Sequence, residues 1–475
     1  MAARRFRLVT TAVVAAVGLW AFAGCGVPQV DSSGHSASAP PSTHTPVATL
    51  PAPEKTVAAE SSLPLVLEQV TEAADSQPAA VARRVAAVGG VKGAGISAAV
   101  VSASTGKLLY SAGGQTGLIP ASTTKLLTTS AALKLLGPQH RFRTSVVDAS
   151  FTTKGKRTNQ IDLVGGGDPY LTETKAQATI PGQASLQSLA ASTAKRLKAE
   201  HITTVRLGYD ASLFPGPSWN STWPAGYSTV VTRTSALWVN EGRLYGAEGP
   251  RQTEPAESAA DDFATLLHKD GIKVTKIKPA TAPTGADEVA GIDSLPLSKI
   301  TEKLLMESDD DAAEVIARQV AVADGKPATI ANAVNSIREV ITILGAWAPG
   351  TRMYDGSGLS RDGRIPADTL VKVLRLGIDG GQPNLAPVFT GLPVAGVEGS
   401  LEYRLGETGA TAGRGIVRAK TGTLTGVHSL AGYASTRDGE LLIFAFVVNH
   451  PKNDYEAVEW LDRVAAAVAT CGCKP

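Results

Sequence analysis

Ser122 and Lys125 stand three residues apart in the stretch Ile119-Pro120-Ala121-Ser122-Thr123-Thr124-Lys125-Leu126-Leu127. At the start of a helix, that spacing places both side chains on one face, a single turn apart. A lysine amine held there can take the proton of a serine hydroxyl and turn it into a nucleophile. It must be partly neutral to do so, which burial and a nearby positive charge both favour. The Ser122 N–H, at the helix N-terminus, would help to hold an oxyanion. Taken alone, Ser122 reads more simply as a helix cap and Lys125 as a solvated side chain. Two more stretches shift the balance. Lys420-Thr421-Gly422 reads as a strand lining a cleft: a lysine and a hydroxyl to meet a substrate carboxylate, then a glycine that lets a ligand approach the backbone. Lys420 would also supply the positive charge that unloads Lys125, and Thr423 a second backbone N–H for an oxyanion. Between the two lies Ser308-Asp309-Asp310, with Ser308 suited to pass a proton to a leaving group. No GxSxG elbow and no His-Asp arrangement accompanies any serine, which leaves lysine as the base.

Other chemistries fit poorly. Gly165-Gly166-Gly167 is not followed by Lys-Ser/Thr at P-loop spacing and reads as a turn. The loop Asp355-Gly356-Ser357-Gly358 has too few carboxylates for calcium and reads as a tight loop near the cleft. The seven histidines are scattered without an HExxH pair, so neither a metal nor an organic cofactor is expected. The 45 basic and 43 acidic residues leave a net charge of +2 with no basic block, which argues against a nucleic-acid partner.

The elements that must position these residues can be traced along the chain. Arg4, Arg5 and Arg7 precede an apolar run from Leu8 to Ala23, the pattern of an export signal or an uncleaved anchor. Ala21-Phe22-Ala23 resembles a signal-peptidase site and Ala23-Gly24-Cys25 the end of a lipobox. Residues 1–25 are thus a signal peptide or a membrane or lipid anchor, with lipidation at Cys25 and cleavage or anchoring without lipid both open. Each version puts the mature protein outside the cytoplasm, in the cell envelope. The remaining cysteines, Cys471 and Cys473, would close only a small strained ring. Residues 26–62, rich in Pro, Ser, Ala and Thr, cannot bury enough apolar surface to order and read as a tether. Ordered sequence is expected from Leu63. A helix over Val81–Val88 leads to strands at 96–101 and 108–110 and then to the buried Ser122 helix, which Gly137-Pro138 ends. Residues 63–142 and 296–475 read as one catalytic domain. The stretch 143–295 changes character, with short alternating segments at 160–164 and 203–207, a helix over 256–269 and a strand at 272–274, and reads as a β-rich inserted module. Helical sequence returns over 297–323. Strands at 430–435 and 441–448 precede a final helix over 454–469.

The three motifs in this order resemble a class C low-molecular-mass penicillin-binding protein of the D-alanyl-D-alanine carboxypeptidase/endopeptidase family. The resemblance spans roughly residues 80–470. It extends to Gly165-Gly166-Gly167-Asp168-Pro169, to Tyr354-Asp355-Gly356-Ser357-Gly358-Leu359-Ser360-Arg361 and to Leu392-Pro393-Val394-Ala395-Gly396-Val397-Glu398-Gly399-Ser400-Leu401. The long gap between Ser122 and Ser308 is similar to that of members carrying domains inserted there. The resemblance implies an α+β transpeptidase fold of the penicillin-binding/β-lactamase kind, with a five-stranded antiparallel sheet flanked by helices. It implies a serine carboxypeptidase in which Ser122 is acylated by muropeptide D-Ala-D-Ala, or by β-lactams, and released by water. D,D-endopeptidase action, a β-lactamase-like hydrolase and a catalytically weak peptidoglycan-binding relative are the alternatives. One position departs from the pattern: the middle motif ends in asparagine, and here it ends in Asp310. An asparagine amide both donates and accepts, whereas an ionised aspartate only accepts and would hold Lys125 protonated. The run Asp309-Asp310-Asp311 also suits a helix N-terminus.

Overall fold

The computed structural model describes residues 75–245, 249–378 and 381–472. The leader, the tether, the start at Leu63 and Cys473 lie outside them. Cys471 is disulfide-bonded. Among the described residues no helix is long and apolar enough to cross a membrane.

A five-stranded antiparallel sheet forms the centre. It contains β1 (Gly95–Ser102), β2 (Leu108–Ala112), and three later strands, β10 (Arg418–Leu424), β11 (Val427–Ser435) and β12 (Leu441–Asn449), in the order β10-β11-β12-β1-β2. The middle strands are apolar at consecutive positions because both faces are covered. In β12, Leu442, Phe444, Phe446 and Val448 enter one core, and Ile443, Ala445 and Val447 enter the other, as the two-residue period of a strand requires. The first core is closed by helices α1 (Pro78–Ala86) and α10 (Asp454–Ala469). The second is filled by α2 (Lys125–Leu136), α5 (Leu297–Glu307), α6 (Asp310–Ala323), α7 (Ile330–Ile343), α8 (Ala367–Leu376) and the short α9 (Ala386–Thr390). Helix α2 lies at the centre of this group, buried from Lys125 to Leu133, as its lack of a polar face requires.

A second sheet takes its strands from residues 143–293. These are β3 (Arg143–Asp148), β6 (Gln160–Val164), β7 (Thr204–Asp210), β8 (Lys273–Pro279) and β9 (Glu288–Asp293), in the order β8-β7-β6-β3-β9. The hairpin β4 (Phe151–Thr153) and β5 (Lys156–Thr158) stands apart from it. Pairing is parallel at β6-β7 and β7-β8 and antiparallel at β3-β6 and β3-β9. Helices α3 (Leu186–Ala199) and α4 (Pro255–Lys269) cover one face through Leu189, Phe263 and Leu267.

Two expectations need adjustment. The helical stretch 297–323 is two helices, because Ser308 takes a left-handed conformation (φ 60°) that ends α5 and turns the chain into α6. The N-terminal start of the Ser122 helix is a 3₁₀ turn, Ala121–Thr124, with α2 beginning at Lys125.

One of the side chains that tie the segment delivering Ser122 to the sheet is Asn449. Buried Asn449, at the end of β12, accepts a hydrogen bond from Ile119 N (2.8 Å) and donates to Ile119 O (3.0 Å). It thereby imitates a strand partner for a chain that has left the sheet. Asn449→Ala leaves both Ile119 groups buried without partners, at about 1–3 kcal/mol each. We expect urea unfolding to show a loss of about 2–6 kcal/mol; a value within experimental error of the parent would refute this role.

Candidate active site

Lys125 Nζ is fully buried and touches three acceptors: Ser122 Oγ at 2.9 Å, Asp310 Oδ1 at 2.5 Å and the Ser357 carbonyl at 2.9 Å. Three acceptors match the three N–H bonds of an ammonium, and one of them is a carboxylate. Geometry therefore describes Lys125 as a cation. Each contact comes from a different part of the chain.

Ser122 is presented by a braced turn. Thr123 Oγ1 donates to Pro120 O (2.7 Å), Thr124 Oγ1 to Ala121 O (2.9 Å), and Ser429 Oγ also reaches Pro120 O (2.7 Å). Ala121 sits at φ 48°, a conformation an alanine adopts only under constraint from its surroundings. Gly358 presses on that residue: a Cβ there would lie 1.9 Å from Ala121 O.

Asp310 opens α6, and the three consecutive aspartates face three ways. Asp309 caps the helix through Ala312 N (3.0 Å). Asp310 turns to Lys125. Asp311 accepts from Thr232 N (2.6 Å) and lies 3.3 Å from Arg243 and 3.5 Å from Arg251. Glu241 completes this cluster by pairing with Arg243. Burial, then Asp309, pushes the Glu241 carboxyl well up, and the same causes lift Asp311 to about 6. The carboxylates of Glu241, Asp309 and Asp311 lie within ligand distance of one another, but the two guanidiniums already neutralise them. The helix-terminal reading of the acidic run thus fits Asp309, and the cleft reading fits Asp310.

Ser357 belongs to the loop after Tyr354. Asp355 holds that loop in a turn by accepting from Gly358 N (2.9 Å) and Ser360 N (2.6 Å), and from the Trp223 indole (2.9 Å). Glu314, one turn beyond Asp310 on α6, accepts from Gly356 N (2.9 Å) and Ser357 N (2.7 Å) through a single oxygen. Burial, then the Asp355 charge, raises the Glu314 carboxyl to about 8.

The other wall is β10, an edge strand. Lys420 Nζ is fully buried and donates to Ser308 Oγ (2.7 Å) and Thr421 O (2.9 Å). Burial, then the Lys125 charge, drives its amine well below the usual lysine value, with Asp310 opposing. The sequence led us to expect Lys420 to unload Lys125; the influence runs the other way. Thr421 Oγ1 shares a hydrogen bond with Ser400 Oγ (2.8 Å). The Ala419 N–H leaves the sheet edge for Pro393 O, so the N–H groups of Thr421 and Thr423 leave on that same side. Gly422 permits close approach to the serine turn, because a Cβ there would lie 2.7 Å from Pro120 O and 3.1 Å from Ser122 N.

Ser122, Lys125 and Asp310 are therefore joined directly, Ser308 and Lys420 form a second pair beside them, and Gly422 packs on Ser122. Sequence reasoning placed the loop with Asp355 and Ser357 near the cleft and named the stretch that holds Ser400, but gave none of the three a role, and it missed Glu314 and Trp223. Only Glu314 carried a usable signal, since it follows Asp310 by four residues on one helix.

Residues 77–252 and 247–468 match the D-Ala-D-Ala carboxypeptidase 3 (S13) family. A carboxypeptidase of Mycobacterium tuberculosis is 33% identical over 383 residues, covering 79% of this chain and 80% of its own length. A D-alanyl-D-alanine carboxypeptidase of an Actinomadura strain is 28% identical over 441 residues, covering 76% and 78%. Penicillin-binding protein 4 of Haemophilus influenzae shares the fold, with a TM-score of 0.67 at 20% identity over 82% of this chain and 99% of that one. With both matched segments together spanning nearly all described residues, the chain belongs to the D-Ala-D-Ala carboxypeptidase 3 (S13) family and is a serine-type peptidase.

Proposed function

We propose that this protein removes the terminal D-alanine from peptidoglycan stem peptides through an ester on Ser122, and that β-lactams acylate the same oxygen. The observation that carries the reading is the buried contact of Lys125 Nζ with Ser122 Oγ. The oxygen attacks the carbonyl of the penultimate D-alanine and the charge that develops on that carbonyl is met by the Ser122 and Thr423 N–H groups. The C–N bond breaks, the serine proton ends on the departing D-alanine amine, and water then cleaves the ester and restores the hydroxyl. The substrate carboxylate docks against Thr421 and the β10 edge.

Proton traffic divides between the two lysines. Lys125, with three acceptors and Asp310 as partner, is a fixed cation that stabilises the developing Ser122 alkoxide. Lys420 is the amine that burial drives toward neutrality, and with Ser308 it moves the proton. The N-terminal sequence supports an exported protein, anchored at the envelope or released. A slower, binding-dominated relative is the second reading, and the Lys125–Asp310 ion pair is the observation that favours it.

Labelling with a fluorescent penicillin tests the core of the proposal. We expect a covalent adduct with the parent and none with Ser122→Ala; a folded parent that takes no label would favour the binding reading. Asp310→Asn removes the charge that opposes the lowering of the Lys420 amine, so more of Lys420 is in its neutral, proton-accepting form at a given pH. Its acylation rate is expected to rise and its pH profile to shift toward acid. Identical rates for parent and variant at every pH would remove Asp310 from the mechanism. Because the neutral amine of Lys420 is the active form, kcat/KM for a D-Ala-D-Ala peptide should fall as the solution is acidified. A rate that stays level or climbs on acidification assigns the proton transfer elsewhere.

A further inference from the structure

We propose that Glu314 is a positioning residue for acylation: it fixes the Ser357 carbonyl that, together with Asp310, holds Lys125 against Ser122. The proposal rests on the reading of Ser122 and Lys125 as reacting partners.

The connection is short and wholly buried. One Glu314 oxygen accepts from Gly356 N and Ser357 N at 2.9 and 2.7 Å, and the Ser357 carbonyl accepts from Lys125 Nζ at 2.9 Å. One residue therefore lies between a carboxyl that touches no reacting atom and the cation beside the nucleophile. A second observation shows that the loop is seated on the same helix. Gly356 packs on α6 so closely that a Cβ there would lie 2.5 Å from Ala317 Cβ and 2.8 Å from Ala313 O. Thr128 of α2 fastens the loop from the other side by donating to Gly356 O (2.7 Å). Helix α6 thus presents Asp310 to Lys125 directly and, one turn later, supplies Glu314 beneath the loop that provides the third acceptor. A single rigid helix sets two of the three contacts of the cation.

The carboxyl is also poorly explained as a stabilising group. It is buried, faces another buried carboxyl, Asp355, and has the Arg318 charge nearby, so desolvation and like-charge repulsion both count against it as a source of stability. Its use is in the acceptor it offers to two adjacent N–H groups, which no apolar residue could supply.

The test compares Glu314→Ala, Glu314→Gln and Gly356→Ala in the full chain, beside the parent and Ser122→Ala. Acylation by fluorescent penicillin and kcat and KM for a D-Ala-D-Ala peptide are measured at temperatures where thermal unfolding shows each variant folded. A displaced reacting group costs on the order of 100-fold in rate, so Glu314→Ala is expected to lose about 10- to 100-fold in kcat and acylation rate with KM little changed. Glu314→Gln keeps an oxygen for both N–H groups and is expected to recover most of the loss. Gly356→Ala leaves Glu314 intact but lifts the loop from α6, and is expected to repeat the kcat defect. A folded Glu314→Ala with parental kcat, a defect confined to KM, or a Gln variant no better than Ala would each overturn the proposal. Should Ser122→Ala still take the label, the reading of the nucleophile fails instead, and the two failures are told apart within one experiment.

Discussion

The buried charge of Lys125 is the constraint around which the molecule is arranged. A lysine ammonium withdrawn from water loses several kcal/mol of hydration, and only fixed acceptors can replace it. Here each of its three N–H bonds meets one, at Ser122, Asp310 and Ser357. Those residues belong to the turn before α2, the first residue of α6 and the loop after α7. The core that α2 enters must bring the three segments together to within a few tenths of an ångström. The burial of α2 from Lys125 to Leu133 serves the same end, since a helix buried on all sides has little freedom to rotate or slide.

The same reasoning accounts for the ties between the second-sheet stretch and the cleft. Trp223 donates to Asp355, Asn220 to Tyr354 O (2.7 Å), and Thr232, Arg243 and Arg251 gather Asp311. Arg318, one turn beyond Glu314, reaches Pro217 O (2.7 Å) and Ala328 O (2.5 Å). The stretch therefore grips α6 and the loop after Tyr354, the two parts that supply acceptors to Lys125. Asp309 and Asp311, on either side of Asp310, are held by the helix cap at Ala312 N and by Arg243 and Arg251. Removing the arginines would leave buried carboxylates uncompensated next to the residue that pairs with Lys125, which is a larger penalty than the loss of a surface ion pair.

What could be read from the chain beforehand follows the range of the interactions. The strands at 96–101, 160–164, 430–435 and 441–448 and the final helix over 454–469 all fall within observed elements, because continuous or alternating apolar runs report burial on two faces or one. Ser122, Lys125, Ser308, Asp310 and Lys420 were legible because their chemistry depends on short spacings. The break at Ser308 was not, since a left-handed serine has no local signature and is imposed by the helices on either side. Glu314 was not singled out and Asp355 was read only as part of a tight loop near the cleft; the fold reveals that both are buried and aimed at backbone N–H groups. The pairing of Asp310 with Lys125 was legible from the departure at position 310, whereas the depth at which Lys420 is buried, which drives its amine toward neutrality, was not.

That last point determines the electrostatic character of the cleft. With asparagine at position 310, the two buried lysines would lose the carboxylate in direct contact with Lys125, and mutual repulsion would press one of them to give up its proton. Asp310 resolves the choice: it lies against Lys125 and leaves Lys420 with a hydroxyl and a carbonyl. Burial and the Lys125 charge drive the Lys420 amine toward its neutral form, which lowers the positive potential that the cleft floor offers to an approaching carboxylate. Recognition of a C-terminal carboxylate must then rest more on directed hydrogen bonds from Thr421 and the free β10 edge than on a steering field. A site of this kind trades attraction at a distance for orientation at contact, and it depends correspondingly more on how rigidly the loop after Tyr354, the serine turn and β10 are held together.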